Sequence, residues 1–333
     1  IFHRGWTHLI MLLLATLPFM AAAGANDPAP SARNPGATKM ERPRIALVLS
    51  GGGAKGSAHI GVLKVLEAKH IPVDIIVGTS MGSYVAGMYA MGLSAEEVER
   101  TTLAIDWNKG YQDKVGRDEL SLRKKQQTEK YQLRTDIGVN GDQTQLPHGF
   151  FQGQSMASLL RHATSNLPAQ KSFDNLPIPY RAVATDMETV TPFVLDHGSL
   201  AKAMQASMSI PGALKPVDWD GRILADGGTV NNMPVDVAKA MGADVVIAVD
   251  ISAKLRTRES LKSGLAMIDQ LTTYMTQVGT EKQKALLGPR DILLTPEFGN
   301  MGIADFALMP EGIKIGEAVA NSAAARLDAL SLS

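Results

Sequence analysis

Residues 44–92 read RIALVLSGGGAKGSAHIGVLKVLEAKHIPVDIIVGTSMGSYVAGMYAMG, and the order of elements within them decides the fold class. RIALVLS is a short apolar run suited to a buried strand, GGGAKG is a turn, and the next segment sets Ile60, Leu63, Val65 and Leu66 near helical spacing. After Pro72, VDIIVG reads as a second strand, GTSMG as a sharp turn, and SYVAGMYAMG as a helix of small residues ending near Gly92. Ser94 and Glu97 then form the sequence pattern of a capping box for another helix. Strand, helix, strand, helix implies a right-handed crossover between parallel strands.

The pattern weakens between about residues 107 and 179, where a charge-dense stretch, glycine turns and the helical segment FQGQSMASLLRHAT follow one another. It returns with YRAVATD, TPFVLD, the helix SLAKAMQASM, the strand RILAD, the helix PVDVAKAMG and the apolar strand DVVIAVD. Leu261, Leu265, Ile268, Leu271, Met275 and Val278 recur every three or four residues and mark one long amphipathic helix. DILLTP and a helix from about Glu311 to Leu330 close the chain. The expectation is one α/β domain over 44–330, with an irregular insertion at about 107–179.

The chain has 333 residues, 45% of them hydrophobic, enough to bury a large core. Lys+Arg and Asp+Glu both number 33, so no net basic field points to nucleic acid. With no cysteine, a disulfide, a thiolate metal site and a cysteine nucleophile are all excluded. At the N-terminus, Arg4, an apolar run from Leu9 to Met20 and the small residues Ala23-Gly24-Ala25 read as a signal peptide over residues 1–25. A membrane anchor needs about 20 apolar residues, and this run is shorter and broken by Pro18. Residues 26–43, rich in Pro, Ala and polar side chains, read as a flexible lead-in. The expected address is therefore beyond the inner membrane: periplasm, outer membrane-associated or secreted.

Two glycine turns carry the chemistry. Gly51-Gly52-Gly53-Ala54-Lys55-Gly56 satisfies G-x-G-x-x-G, but the acidic residue of a dinucleotide site is missing from the end of the next strand, which finishes in Gly78. A phosphate-binding P-loop needs Gly-Lys-Ser/Thr, whereas here Lys55 precedes Gly56. No nucleotide is expected. The loop's backbone N–H groups at Gly51, Gly52 and Gly53 can instead face a negative oxygen. Gly78-Thr79-Ser80-Met81-Gly82 has the G-x-S-x-G spacing that places a serine on a strained strand-to-helix turn, with Gly78 and Gly82 allowing close packing. Both turns fall beyond the carboxyl ends of adjacent strands, so a nucleophile would lie beside a set of oxyanion donors.

A serine nucleophile needs a base. A histidine triad would place its histidine late in the chain, yet nothing after His197 is histidine, and His197 sits in a solvated-looking turn. His59 and His70 read as partly exposed helix residues before Ser80. A buried carboxylate can serve instead, and Asp226, at the end of RILAD and followed by Gly227 and Gly228, is favoured over Asp250, which ends DVVIAVD.

GGGAKG, GTSMG and DGG in this order, together with FDNLPIPYRAVATDMETV and GSLAKAMQASMSIPGALKPV, resemble the patatin-like phospholipase family over most of the chain from Arg44 onward. The resemblance implies a three-layer α/β/α sandwich around a mainly parallel sheet, Ser80 as nucleophile, Asp226 as general base, and the Gly51 to Gly53 loop as oxyanion hole. It implies hydrolysis of phospholipid or other fatty-acyl esters without metal or cofactor, with transient contact at a membrane surface. An acyltransferase using the same dyad and a non-catalytic lipid-binding effector are the competing readings. Arg117, Arg123, Lys124, Lys125 and Lys130 are interleaved with acidic residues and read as a solvated face rather than a headgroup site. Met81, Met88 and Met91 suit either an acyl channel or helical core.

Overall fold

A computed structural model of the chain describes residues 42–112, 138–140, 143–145, 149–255, 257–258, 261 and 264–332. The segment 1–25 read as a signal peptide, nearly all of the segment 26–43 read as a lead-in, and the basic stretch from Arg117 to Lys130 lie outside these residues.

The opening segment folds in the expected order: β1 (Ile45–Leu49), α1 (Ser57–Ala68), β2 (Ile75–Thr79), α2 (Met81–Ala90) and α3 (Ala95–Ala104). The Ser94 side chain accepts from the Glu97 N–H while the Glu97 carboxylate accepts from the Ser94 N–H, so the capping box forms. The middle of the chain gives α4 (Trp107–Gln112), β3 (Gly138–Asn140), β4 (Gln143–Gln145), β5 (Gly149–Phe151) and α5 (Gln154–Ala163). The second half supplies β6 (Tyr180–Asp186), β7 (Thr191–Leu195), α6 (Leu200–Met208), β8 (Gly212–Leu214), β9 (Val217–Trp219) and β10 (Arg222–Asp226). It ends with α7 (Val235–Ala240), β11 (Val245–Val249), α8 (Gly264–Lys284), β12 (Ile292–Leu294), α9 (Met309–Ser322) and α10 (Ala324–Asp328).

Among the described residues one large sheet runs β12-β11-β1-β2-β6-β10-β9, with β7 added on β6. From β12 to β6 the strands are parallel, and Leu49 pairs with both Val249 and Gly78. β1, β2 and β11 are buried along their whole length, which explains their unbroken apolar runs: both faces of a parallel sheet are covered. Alternate side chains separate into two cores. Ile45, Leu47, Leu49, Ile76, Ile247 and Val249 join the core with α1, α2 and α9. Ala46, Val48, Ile75, Val77, Val246 and Ala248 meet Val235 and Ala238 of α7 on the opposite face. Helix, sheet and helix make three layers.

β6 is where the sheet changes direction. Along one edge, Val183 pairs with Thr79, the last residue of β2, and the next residue, Ala184, pairs with Asp226, the last residue of β10. β2 runs parallel to β6 and β10 antiparallel to it, so their carboxyl ends meet head to head.

α8 has the expected helical period but the opposite polarity. Leu271, Met275 and Val278 are exposed, while Thr273, Gln277 and Thr280 lie on the side toward the protein.

Candidate active site

Ser80 is the residue before α2 and has φ 53° and ψ −127°. Positive φ is costly for a side chain with a Cβ, so the surroundings must impose it. Two glycines supply the room: a Cβ on Gly78 would strike the Gly82 carbonyl, and one on Gly82 would strike the Leu49 carbonyl at the end of β1. A hydroxyl then anchors the turn. The Ser80 N–H donates to Ser207 Oγ at 2.8 Å, and Ser207 Oγ donates to the Val183 carbonyl at 2.6 Å. Thr79 Oγ1 donates to the Asn231 carbonyl at 2.9 Å, tying β2 to the chain that follows Asp226.

The head-to-head strands bring Ser80 and Asp226 into contact, with Ser80 Oγ donating to Asp226 Oδ2 at 2.6 Å. The aspartate is fixed on all sides. Its Oδ1 accepts from the Gly228 N–H at 2.7 Å, its own N–H donates to the Ser209 carbonyl, and its carbonyl accepts from Thr185 Oγ1. Both side chains are nearly enclosed, at 6% and 8% exposed. Burial pushes the Asp226 carboxyl up to about 6, and this outweighs the hydrogen bonds from Ser80 and Gly228 that favour the ionised form. A base in this range is ionised at neutral pH yet basic enough to take a hydroxyl proton.

The first glycine turn lies against the serine, where a Cβ on Gly51 would come within 2.9 Å of the Ser80 Cβ. Gly51 donates its own N–H to the Asn232 carbonyl at 3.2 Å, and Asn232 Nδ2 donates back to the Gly51 carbonyl and to Ser252 Oγ. That N–H is committed to the clamp. The Gly52 and Gly53 N–H groups have no acceptor among the described residues. Gly53 has φ +58° and packs against the Ile303 carbonyl, leaving no room for a Cβ.

His59 is the largest difference from the sequence expectation. It is wholly buried beneath this turn, its Nε2 sits 2.8 Å from the Ser50 carbonyl, and burial lowers its pKa to about 4. A neutral ring donating from Nε2 therefore holds the start of the glycine loop. His70 is exposed. His197 lies in an exposed turn between Asp196 and Asp220, whose hydrogen bonds raise its pKa. Asp250 is engaged by Lys284 at 2.8 Å and by the Ser252 N–H, away from the serine. Met81 and Met88 are core residues, and Met91 packs against the same core.

Ser207, Asn232 and Thr185 carry no signal in the sequence spacing, because small polar residues within helices, strands and turns look alike whichever way they face. Tyr111 stacks on Phe306, which stacks on Trp107. Burial raises the Tyr111 phenol, and the Asp226 charge adds to the effect, so Tyr111 stands within electrostatic reach of the carboxylate. Among the described residues no group of three or more His, Asp or Glu side chains is placed to hold a metal ion.

The family profile described as patatin-like phospholipase matches residues 47–239, more than half of the chain. Patatin-like phospholipase domain-containing protein 6 of Homo sapiens is 35% identical over 215 residues, which are 64% of this chain and 14% of that protein. An uncharacterised NTE family protein of Mycobacterium bovis is 32% identical over 211 residues, 63% of this chain and 49% of its own. The chain thus spans about one seventh of the mammalian relative and half of the mycobacterial one. Among solved structures, VipD from Legionella pneumophila is similar with a TM-score of 0.44 and 16% identity, over 86% of this chain and 67% of that one. On the strength of this profile match, which takes in the glycine loop, the serine turn and the aspartate turn, the chain belongs to the patatin-like phospholipase family.

Proposed function

We propose that the chain is a lipid acyl hydrolase of the phospholipase A or lysophospholipase type, with Ser80 as nucleophile and Asp226 as its base. The observation that carries this is the 2.6 Å hydrogen bond from Ser80 Oγ to a buried carboxylate, made by a serine held at positive φ on a strand-to-helix turn. Ser80 Oγ attacks the acyl carbonyl as Asp226 Oδ2 takes its proton. The oxyanion is met by the Gly52 and Gly53 N–H groups. Collapse breaks the ester bond, Asp226 returns the proton to the departing alcohol oxygen, and Ser80 is left acylated. Water then gives a proton to Asp226 and attacks the acyl-enzyme, and the fatty acid leaves as Ser80 regains its hydrogen. Tyr111, which feels the Asp226 charge, and Phe306, on which it stacks, are only partly buried and supply aromatic surface suited to an apolar acyl group.

Incubation with defined phospholipids, lysophospholipids and triacylglycerols, with products identified by mass, tests the reading. Release of free fatty acid and a matching alcohol is expected, with kcat/KM rising through pH about 6 as Asp226 ionises. Transfer of the acyl group to an added alcohol in preference to water would favour an acyltransferase. No turnover of any of these esters would contradict both.

A further inference from the structure

α8 is an amphipathic helix turned inside out. Met267, Leu271, Tyr274, Met275 and Val278 are between 39% and 65% exposed. At 100° per residue they fall within an arc of about 100°, one continuous apolar face. The opposite side carries Thr273, Gln277, Thr280 and Lys284, which line a cavity of about 650 Å³ that neither Ser80 nor Asp226 borders. The helix therefore turns its polar side inward and its apolar side to solvent, a pattern that marks an interaction surface rather than a core.

We propose that this face seats the protein on a lipid surface, an inference that rests on the lipid hydrolase reading of the neighbouring site. Three observations select a lipid surface over another occupant. α8 packs on the Gly227–Thr229 turn that directly follows Asp226, so a surface bound by α8 lies beside the dyad. From Gln270 to Thr280 the helix has no charged residue, whereas exposed cations stand at both ends: Arg258 in the segment entering α8, and Lys282 one turn beyond Val278. At the Lys282 end, the neighbouring Glu281 is paired with Lys284 at 2.9 Å. Tyr274 adds an aromatic ring with a polar tip, the side chain suited to the headgroup boundary. No described helix is long and apolar enough to cross a membrane, so α8 lies along the surface, with its apolar face among the acyl chains and the terminal cations toward anionic headgroups.

The test is flotation of the full chain with vesicles of phosphatidylcholine, with and without phosphatidylglycerol, using Ser80→Ala so that no lipid is consumed. Leu271→Glu with Met275→Glu should weaken the partition at least about tenfold on both vesicle types, and phosphatidylglycerol should strengthen binding of the parent. In the Ser80 background, the paired substitution should lower vesicle hydrolysis by a similar factor and leave hydrolysis of a soluble short-chain ester within about twofold. Unchanged flotation would overturn the proposal. So would conversion of a dimer to a monomer with flotation unaffected, which would assign the face to a second copy. Loss of folding in the paired variant and in a milder Leu271→Ser would place the face inside the protein and also overturn it. If the parent fails on the soluble ester while flotation still depends on α8, the hydrolase reading fails and the docking face stands.

Discussion

Asp226 has no cationic partner among the described residues, so its negative charge is held by hydrogen bonds alone. Its folded carboxyl titrates at about 6 against 3.8 for an unperturbed aspartate, which makes the charge a liability to the fold. Below pH 3.8 the carboxyl is protonated in both folded and unfolded chains and costs nothing. As pH rises from 3.8 to about 6 the unfolded chain ionises first, so the folded state loses relative stability, and the deficit is complete above that window. Asp226→Asn should therefore raise stability at pH 8 by about 1–3 kcal/mol while abolishing turnover, and the gain should shrink below pH 5; urea denaturation at the two pH values measures it. Ser207 is the converse case. Ser207→Ala leaves the buried Ser80 N–H and Val183 carbonyl unpaired, so stability should fall by about 1–3 kcal/mol, and kcat should fall with KM nearly unchanged. Ser80 and Asp226 are legible in the sequence because glycines beside them announce tight turns. Ser207, Asn232 and His59 are not, since their roles depend on partners that are distant in sequence.

The strands of the parallel sheet are legible as elements because burial on both faces leaves an unbroken apolar run, as in residues 45–49 and 245–249. α3 is legible through its capping box. The pairing of β5 with β8 joins Gly149 to Gly212 and Phe151 to Leu214, and such short strands without alternation give no periodic signal. The outward apolar face of α8 shows a further limit: the period of a helix is local, but the side that is covered depends on what the rest of the fold and its surroundings supply. At the elbow, Gly82 brings α2 against the carbonyl ends of β1, where a Cβ would meet Leu49 and Ser50. Gly82→Ala should destabilise the fold by about 1–3 kcal/mol, with a larger proportional loss of activity than of stability; thermal unfolding and ester hydrolysis on one preparation separate the two.

For the molecule as a whole, the site is a consequence of topology. Parallel strands deliver Ser80 and the glycine loop to one edge of the sheet, and the reversal at β6 sends β10 back to the same point from the opposite direction. The alternation of strands and helices predicts the first half of that arrangement. The reversal is invisible to it, because RILAD reads as a strand whichever way it runs. Covalent labelling with a fluorophosphonate, followed by mass mapping of the modified peptide, is the decisive experiment on the Ser80–Asp226 dyad. One label is expected on Ser80, none on Ser80→Ala, and labelling of Asp226→Asn slowed by about a hundredfold or more. A label on another residue, or Asp226→Asn labelled at the parent rate, would contradict it.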